Sequence, residues 1–300
     1  MVAKPSTPTG FESHRRRAGI FLVSPAIAAM MLTSIVPLIL AIGLSFTDYD
    51  LFSTPSFNGL TNYQQLFSDS VFWQALGNTI SFAFGQVVIG VVAAIGVALL
   101  FNQNLTGGAA MRTIVYIPQA ASYVVVALLW NMMLDPAMGP FSRIVQAFGG
   151  GPVYFLSSIE LAMPSIVVVS LWRNIGYFMI IILAALKSVP KELLEAAALD
   201  GAGAIRRFFY ITLPEIRSAV VFVAITWFLG GLQMFTQSYV MTGGGPINAT
   251  KTLVYIMYDE AFSALNIGKA SAIAVLLFGA VVVLSVSLRA ISYLMRRKSQ

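Results

Sequence analysis

Arg173 and Asn174 stand side by side in the middle of an apolar run, in the string LWRNIGYF. A guanidinium at that depth costs roughly 2.5–3.5 kcal/mol on insertion scales, so it must face a wet cavity, a partner subunit or a cluster of carbonyls. Two other apolar runs carry polar groups of the same sort. YIPQAASYV supplies Gln119, Ser122 and Tyr123, with Pro118 loosening any helix there. TWFLGGLQMFTQSY supplies Trp227, Gln233 and Gln237 around Gly230 and Gly231. Amides that donate and accept, set among aromatic faces, suit a hydroxyl-rich solute such as a sugar. A phosphate-bearing solute would give Arg173 an obvious partner. A plainer reading stands beside each. Tyr and Trp in a span often pack or mark its interface, Gln119 and Gln233 can bond neighbouring helices, and Arg173 can pair with a sister subunit.

Covalent chemistry has little to work with. There is no cysteine, which excludes disulfides, thiolate metal sites and Cys nucleophiles, and the one histidine, His14, has no partner in its basic tail. None of the 12 Asp and Glu falls in the middle of an apolar run, so the buried acids of a proton-driven carrier are missing. No G-x-x-x-x-G-K-[ST] occurs; SALNIGKA lacks the first glycine and the hydroxyl that would reach magnesium. The chain is therefore expected to be no enzyme, with no metal or cofactor of its own and no nucleic-acid partner. Its energy comes from elsewhere, or it is a passive pore.

The elements that must position these residues lie in lipid. Charged residues are 10% of the chain and hydrophobic residues 58%, against about 25% charged in a typical soluble domain. Six runs reach the roughly 20 apolar residues of a span: Ala18 to Phe46, Ile80 to Phe101, Thr113 to Leu134, Leu161 to Leu186, Ala219 to Met241 and Ala270 to Ser292. The first is too long for a signal peptide and contains Pro25 and Pro37. No run alternates as a membrane barrel would, so the fold class is all-α: a polytopic bundle of six transmembrane helices. Fourteen of the 18 basic residues gather on one side if both termini share it, which places the termini in the cytoplasm. Between spans one and two, Phe67, Val71, Phe72 and Leu76 recur at helical spacing and suggest a short interfacial helix.

One cytoplasmic stretch, ELLEAAALDGAGAIRRFFYITLPE, is too polar to be a span. Lys191 to Leu199 are good helix formers, Gly201 can take the positive φ that ends a helix, and Asp200 can cap a second one. Ala202 to Leu213 forms that second helix with Ile205, Phe208, Phe209 and Thr212 on one face, and Pro214 is expected to stop it. The product is a helix-turn-helix between spans four and five. It either rests on anionic headgroups through Arg206 and Arg207 or docks a cytoplasmic partner through the small face Ala196-Ala197-Ala198 and the charge of Glu195.

Glu195-Ala196-Ala197, three residues, Gly201, nine residues, then Ile211-Thr212-Leu213-Pro214 resembles the EAA loop of binding-protein-dependent ABC importer permeases at every fixed position. The stretches SVPKELLEAAALDGAGA and TGGGPINATKTLVYIMYDEAF are similar to the maltose and glycerol-phosphate importer type, and the likeness covers nearly the whole chain. The resemblance implies an ABC importer type I permease fold, whose EAA helix sits in a groove of the ATP-hydrolysing subunit. Glu195, Ala196, Ala197, Asp200, Gly201, Ala202, Ile205, Phe208, Phe209, Leu213 and Pro214 would then couple ATPase closure to the spans. It further implies substrate contacts on spans three to five, at Gln119, Tyr123, Trp172, Ile175, Gly176, Trp227 and Gly231. Arg173, Asn174, Tyr177 and Gln233 adjoin them, and identities differ from the family at several of these positions.

The resulting expectation is a permease subunit in a bacterial cytoplasmic membrane. A cytoplasmic tail would cover 1–17, the six-helix domain 18–293 with its coupling loop at 187–217, and a second tail 294–300. A homologous second permease, two ATP-binding subunits holding ATP and magnesium, an extracytoplasmic binding protein and the bilayer are its partners. The solute is a carbohydrate or a glycerophosphodiester-like compound. Two rivals are a stand-alone secondary carrier or channel for a polar solute, and a membrane scaffold that recruits a soluble enzyme; the broken, polar mid-spans count against the scaffold.

Overall fold

A computed structural model describes residues 21–103 and 106–297, with side chains up to 287. His14, Arg15, Arg16, Arg17, the 1–17 tail and the start of span one at Ala18 lie outside the described residues. Helix α1 (Phe21–Leu44) is the first span. It widens into a π-turn at Met31–Ile35, where the Val36 N–H donates to the Met31 carbonyl. Pro37 is the very next residue. A proline ring presses on the carbonyl four residues back and supplies no N–H, and the wide turn makes room for it without ending the helix.

Strands β1 (Thr47–Asp48) and β2 (Ser56–Phe57) pair antiparallel, with Thr47 opposite Phe57. This hairpin, two residues in each strand, is a local addition to an otherwise helical fold. Its loop is held by Asp50, whose Oδ1 accepts from the Ser53 N–H at 2.8 Å and the Ser53 hydroxyl at 2.7 Å.

Helix α2 (Thr61–Ser68) and helix α3 (Ser70–Phe101) are separated by Asp69. Its carboxylate accepts the Val71 N–H at 2.9 Å and caps α3. Phe67 therefore belongs to one helix and Val71, Phe72 and Leu76 to the other, so the single interfacial helix is corrected and span two begins before Ile80. With 32 residues, α3 is about 48 Å long and overreaches the roughly 30 Å hydrocarbon layer.

Span three is not continuous. Helix α4 (Gly108–Ala120) and helix α5 (Tyr123–Met133) meet at a bend of 100°. Pro118 withholds one helical hydrogen bond, and Ala121 and Ser122 are extended, with ψ of 145° and 150°. The Ser122 hydroxyl then caps α5 by accepting the Val125 N–H at 3.3 Å.

The short helix α6 (Pro140–Ala147) precedes α7 (Ile159–Lys187), which is span four. Helix α8 (Lys191–Leu199) leads into α9 (Ala204–Leu232), one unbroken helix of 29 residues. Span five ends at Leu232 rather than Met241, and α10 (Thr236–Thr242) comes after it as a separate short helix. Helix α11 (Leu253–Tyr258) runs through a π-turn to Ser263 before α12 (Ile267–Arg297) makes span six. That last helix occupies part of the stretch read as a tail from 294.

Helix α3 lies against α7 and α9, and α4 crosses α7. Ala94, Ala98, Met179, Ile182, Val223 and Trp227 bury one core between them. Phe82, Val126, Ile166, Val169 and Met234 bury a second. Among the described residues, helix α1 packs mainly on α12 of the long helices. Its most apolar stretch buries no residue, with Phe21, Leu22 and Leu32 among the exposed ones. That apolar area is too large to meet water, and lipid or an apolar partner surface must cover it.

Candidate functional site

A cavity of about 310 Å³ opens between α3, α7, the bend of span three and the end of α9. Gln119, Tyr123, Arg173, Asn174, Tyr177, Trp227 and Gln233 lie on its wall, joined by Gln86, Phe178, Phe235 and Gln237. Its described lining holds no acid and one cation, Arg173.

That cation is fully engaged. Nε donates to the Ala121 carbonyl at 3.2 Å. Nη2 donates to the carbonyls of Gln119 at 3.1 Å and Ala121 at 3.0 Å. Nη1 donates to Gln119 Oε1 at 3.0 Å and Asn174 Oδ1 at 3.1 Å. The guanidinium carbon sits 3.8 Å from the Tyr123 ring centroid, on its π face. Five N–H groups are available on an arginine, and these five bonds use them. Of the three environments that could hold the charge, the structure shows the carbonyl cluster. The carbonyls close the C-terminal end of α4, where the helix dipole is negative. Asn174 turns its amide to Tyr123, donating Nδ2–H to the hydroxyl at 2.8 Å.

At the far end of α7 the chain turns through α8 and α9. Gly201 has φ +80°, and the Ala202 N–H donates back to the Ala197 carbonyl at 2.9 Å, a left-handed helix stop. Asp200 does not cap the second helix. Its N–H donates to the Ala196 carbonyl at 3.1 Å and completes the first, while Gly203 opens α9. The second helix therefore begins at Ala204, not Ala202. Pro214 does not stop it either. A π-turn at Phe208–Thr212, closed by the Leu213 N–H on the Phe208 carbonyl, lets the helix run through the proline into span five. Arg207 Nη1 reaches the Leu194 carbonyl at 3.5 Å and ties the two helices. Leu199, Ile205, Phe209 and Tyr210 are exposed here, an apolar patch beside Glu195 and Arg206.

Residues 86–298 match the family described as the binding-protein-dependent transport system inner membrane component. The chain belongs to this family. It is a membrane-embedded permease of an ABC importer, a conducting and not a catalytic component. The sn-glycerol-3-phosphate transport system permease protein UgpA of Yersinia pestis is 34% identical over 88% of this chain and 90% of its own. The trehalose/maltose transport system permease protein MalF of Thermococcus litoralis is 31% identical over 87% of this chain and 89% of its own. Among solved structures, a chain of a bacterial ABC transporter involved in the import of the acidic polysaccharide alginate superposes with TM-score 0.80 at 26% identity. The match covers 95% of this chain and 96% of that one.

Within the permease, four of the expected pathway residues lie off the cavity wall. Gly176 is where α7 crosses α4: a Cβ there would overlap the Val115 carbonyl and lie 2.8 Å from the Tyr116 Cα. Gly231 meets Ala83 of α3, with 2.8 Å left for a Cβ. Trp172 turns away to an edge-on contact with Trp130, 5.5 Å between centroids. Ile175 packs beside the core of α3, α7 and α9. Gln86 and Phe178 were not singled out from the sequence. A lone glutamine in the apolar string FGQVV was the available signal for the first; Phe178 had none.

Trp227 is 2% exposed. Its indole N–H donates to Gln86 Oε1 at 2.7 Å, and its ring stacks on Phe178 at 4.2 Å, with Gly90 clearing the space for it. Replacing Trp227 by Phe strands a buried amide oxygen and is expected to cost about 1–3 kcal/mol, whereas Trp227→Phe with Gln86→Leu removes both partners and recovers part of the loss. Thermal denaturation of the purified permease in detergent checks both: a midpoint drop in the single variant and a partial return in the double.

Proposed function

We propose that this permease conducts an uncharged carbohydrate, delivered by an extracytoplasmic binding protein. It would line the passage together with a homologous second permease. The observation that carries the reading is the wall itself: amides, phenols and an indole, around a single guanidinium whose five donors are already taken. A phosphate or carboxylate entering the cavity would have to strip Arg173 from the backbone carbonyls it closes, or be left unpaired in a low-dielectric space. Hydroxyl groups need no such exchange, since Gln119 and Gln233 can each donate and accept. The named relatives transport both neutral and anionic solutes, so the lining of this chain decides the charge class.

Both termini and the α8–α9 turn face the cytoplasm in this reading, as the distribution of basic residues favours. Two ATPase subunits, which hold the ATP and magnesium, dock on the two permeases. Here the dock is Glu195, Ala196, Ala197 and the exposed side chains of Ile205 and Phe209, with Asp200, Gly201 and Ala202 shaping the turn. Phe208, Leu213 and Pro214 carry the motion into span five.

The assembled transporter in proteoliposomes, with its binding protein and ATPases, tests the solute class. Neutral oligosaccharides are expected to stimulate ATP hydrolysis at least roughly tenfold more than glycerophosphate esters or uronic-acid oligomers, as befits a site left with an unpaired charge. Stimulation by the charged solutes alone would overturn the reading.

A further inference from the structure

Arg173 has a task that neither a solute contact nor a subunit pair describes. It bridges span four to the broken end of span three, and it holds that end from three directions. Its fork takes the two backbone carbonyls at Gln119 and Ala121, its other edge takes the Gln119 side chain, and its face lies on Tyr123. Gln119 and Tyr123 are the two residues that the bend presents to the cavity. Asn174 holds the Tyr123 hydroxyl and is itself bonded to Arg173, so the contacts that fix the two residues lead back to one guanidinium.

The alternative state of this segment is defined by simple geometry. In a straight helix the Gln119 and Ala121 carbonyls would accept from the N–H groups of residues 123 and 125. In the bent state the Ser122 hydroxyl takes the Val125 N–H instead. The guanidinium compensates both carbonyls, which the break in the helix leaves without a backbone partner. The bend and the Arg173 bonds therefore require each other: without the guanidinium the carbonyls are orphaned, and without the bend the guanidinium is.

We propose that Arg173 is a positioning residue for solute translocation, a brace that maintains the 100° break of span three and so sets Gln119 and Tyr123 on the cavity wall. It acts through those two residues and does not touch the solute. The inference goes beyond the choice of solute and holds for a neutral or a charged one.

Spin labels at Met111 on α4 and Met132 on α5, both exposed, report the bend by pulsed distance measurement in the assembled transporter. With Arg173 intact the distribution is expected to be short and narrow. In Arg173→Met, which keeps the length and loses every donor, the distribution is expected to broaden toward the value of a straight helix, about 32 Å for the 21 intervening steps. The apparent KM for solute should rise roughly tenfold, the order expected when orienting groups are displaced by less than an ångström. Arg173→Lys supplies a cation but not the planar fork, and is expected to fall between the two in both readouts. It decides the matter if the methionine variant does not assemble. A wild-type distance distribution in Arg173→Lys and, where it assembles, Arg173→Met overturns the proposal. So does a KM defect confined to anionic solutes with the distances unchanged, which would make Arg173 a ligand contact.

Discussion

Two glycines inserted after Arg217 in α9 are expected to abolish solute transport, by at least about 100-fold, while ATP hydrolysis by the assembled complex continues. The expectation rests on the continuity of Ala204–Leu232. At 29 residues this helix is about 43 Å long. One end is the coupling segment, with Ile205 and Phe209 exposed; the other is Gly230 and the Gln233 that closes it, on the cavity wall. A packed helix of this length moves as a unit, and rigid-body displacement is the usual way such elements carry a distant change. Two glycines add the most flexible joint a chain can have and shift the register of everything beyond. Force applied at Phe209 would then bend the joint instead of moving Trp227 and Gly231 against Gln86 and Ala83. The measurement is solute taken up per ATP hydrolysed, with monodisperse assembly verified beforehand. The same insertion beside Gly149, in the loop after α6, serves as the control and should leave the ratio unchanged. A normal ratio in the α9 variant would remove the lever from the mechanism.

That lever could not be read from the sequence, although both its ends could. The spacing from Glu195 to Pro214 marked the coupling segment, and hydropathy marked span five. Between them, Pro214 reads as a stop under any local rule, because proline interrupts the hydrogen-bond ladder. The structure absorbs it with a π-turn, as it does Pro37 in span one. Pro118 goes the other way and accompanies a right-angle break. The difference lies outside the local sequence: Arg173, more than fifty residues further on, offers the carbonyls freed at Gln119 and Ala121 a partner, and only the tertiary structure brings it there. The spans themselves were legible because lipid leaves so few alternatives. Their polar interruptions were legible as exceptions, which is how Gln119, Tyr123, Asn174 and Gln233 were found on one wall. Gln86 is an exception of the same kind in span two, but a single amide without polar neighbours gives a weak signal. The hairpin of β1 and β2 has only two residues in each strand, too few for a period to show.

Gly176→Ala is expected to be a severely damaging single methyl group. At this crossing α7 meets the backbone of α4, not its side chains. The added carbon would overlap the Val115 carbonyl oxygen and stand 2.7 Å from its carbon. A side chain can turn aside from such a clash, but a helix backbone can yield only by shifting α4 as a whole. Overpacking of this kind costs about 3 kcal/mol or more when nothing flexible can give way, and small residues at crossings are what let membrane helices approach. Moving α4 also moves the carbonyls of Gln119 and Ala121 away from Arg173, so the bonds of the brace fail together with the packing. Gly96 provides the comparison. It lies in α3 with no atom within 4 Å of where a Cβ would be, and an alanine there should be neutral or stabilising by up to about 1 kcal/mol, since glycine is the poorer helix former. Yield of assembled complex and its thermal midpoint distinguish the two: a large loss for Gly176→Ala and none for Gly96→Ala. If the two alanines behave alike, the close crossing of spans three and four is not what holds the cavity wall in place, and Arg173 as a brace loses its support on the α4 side.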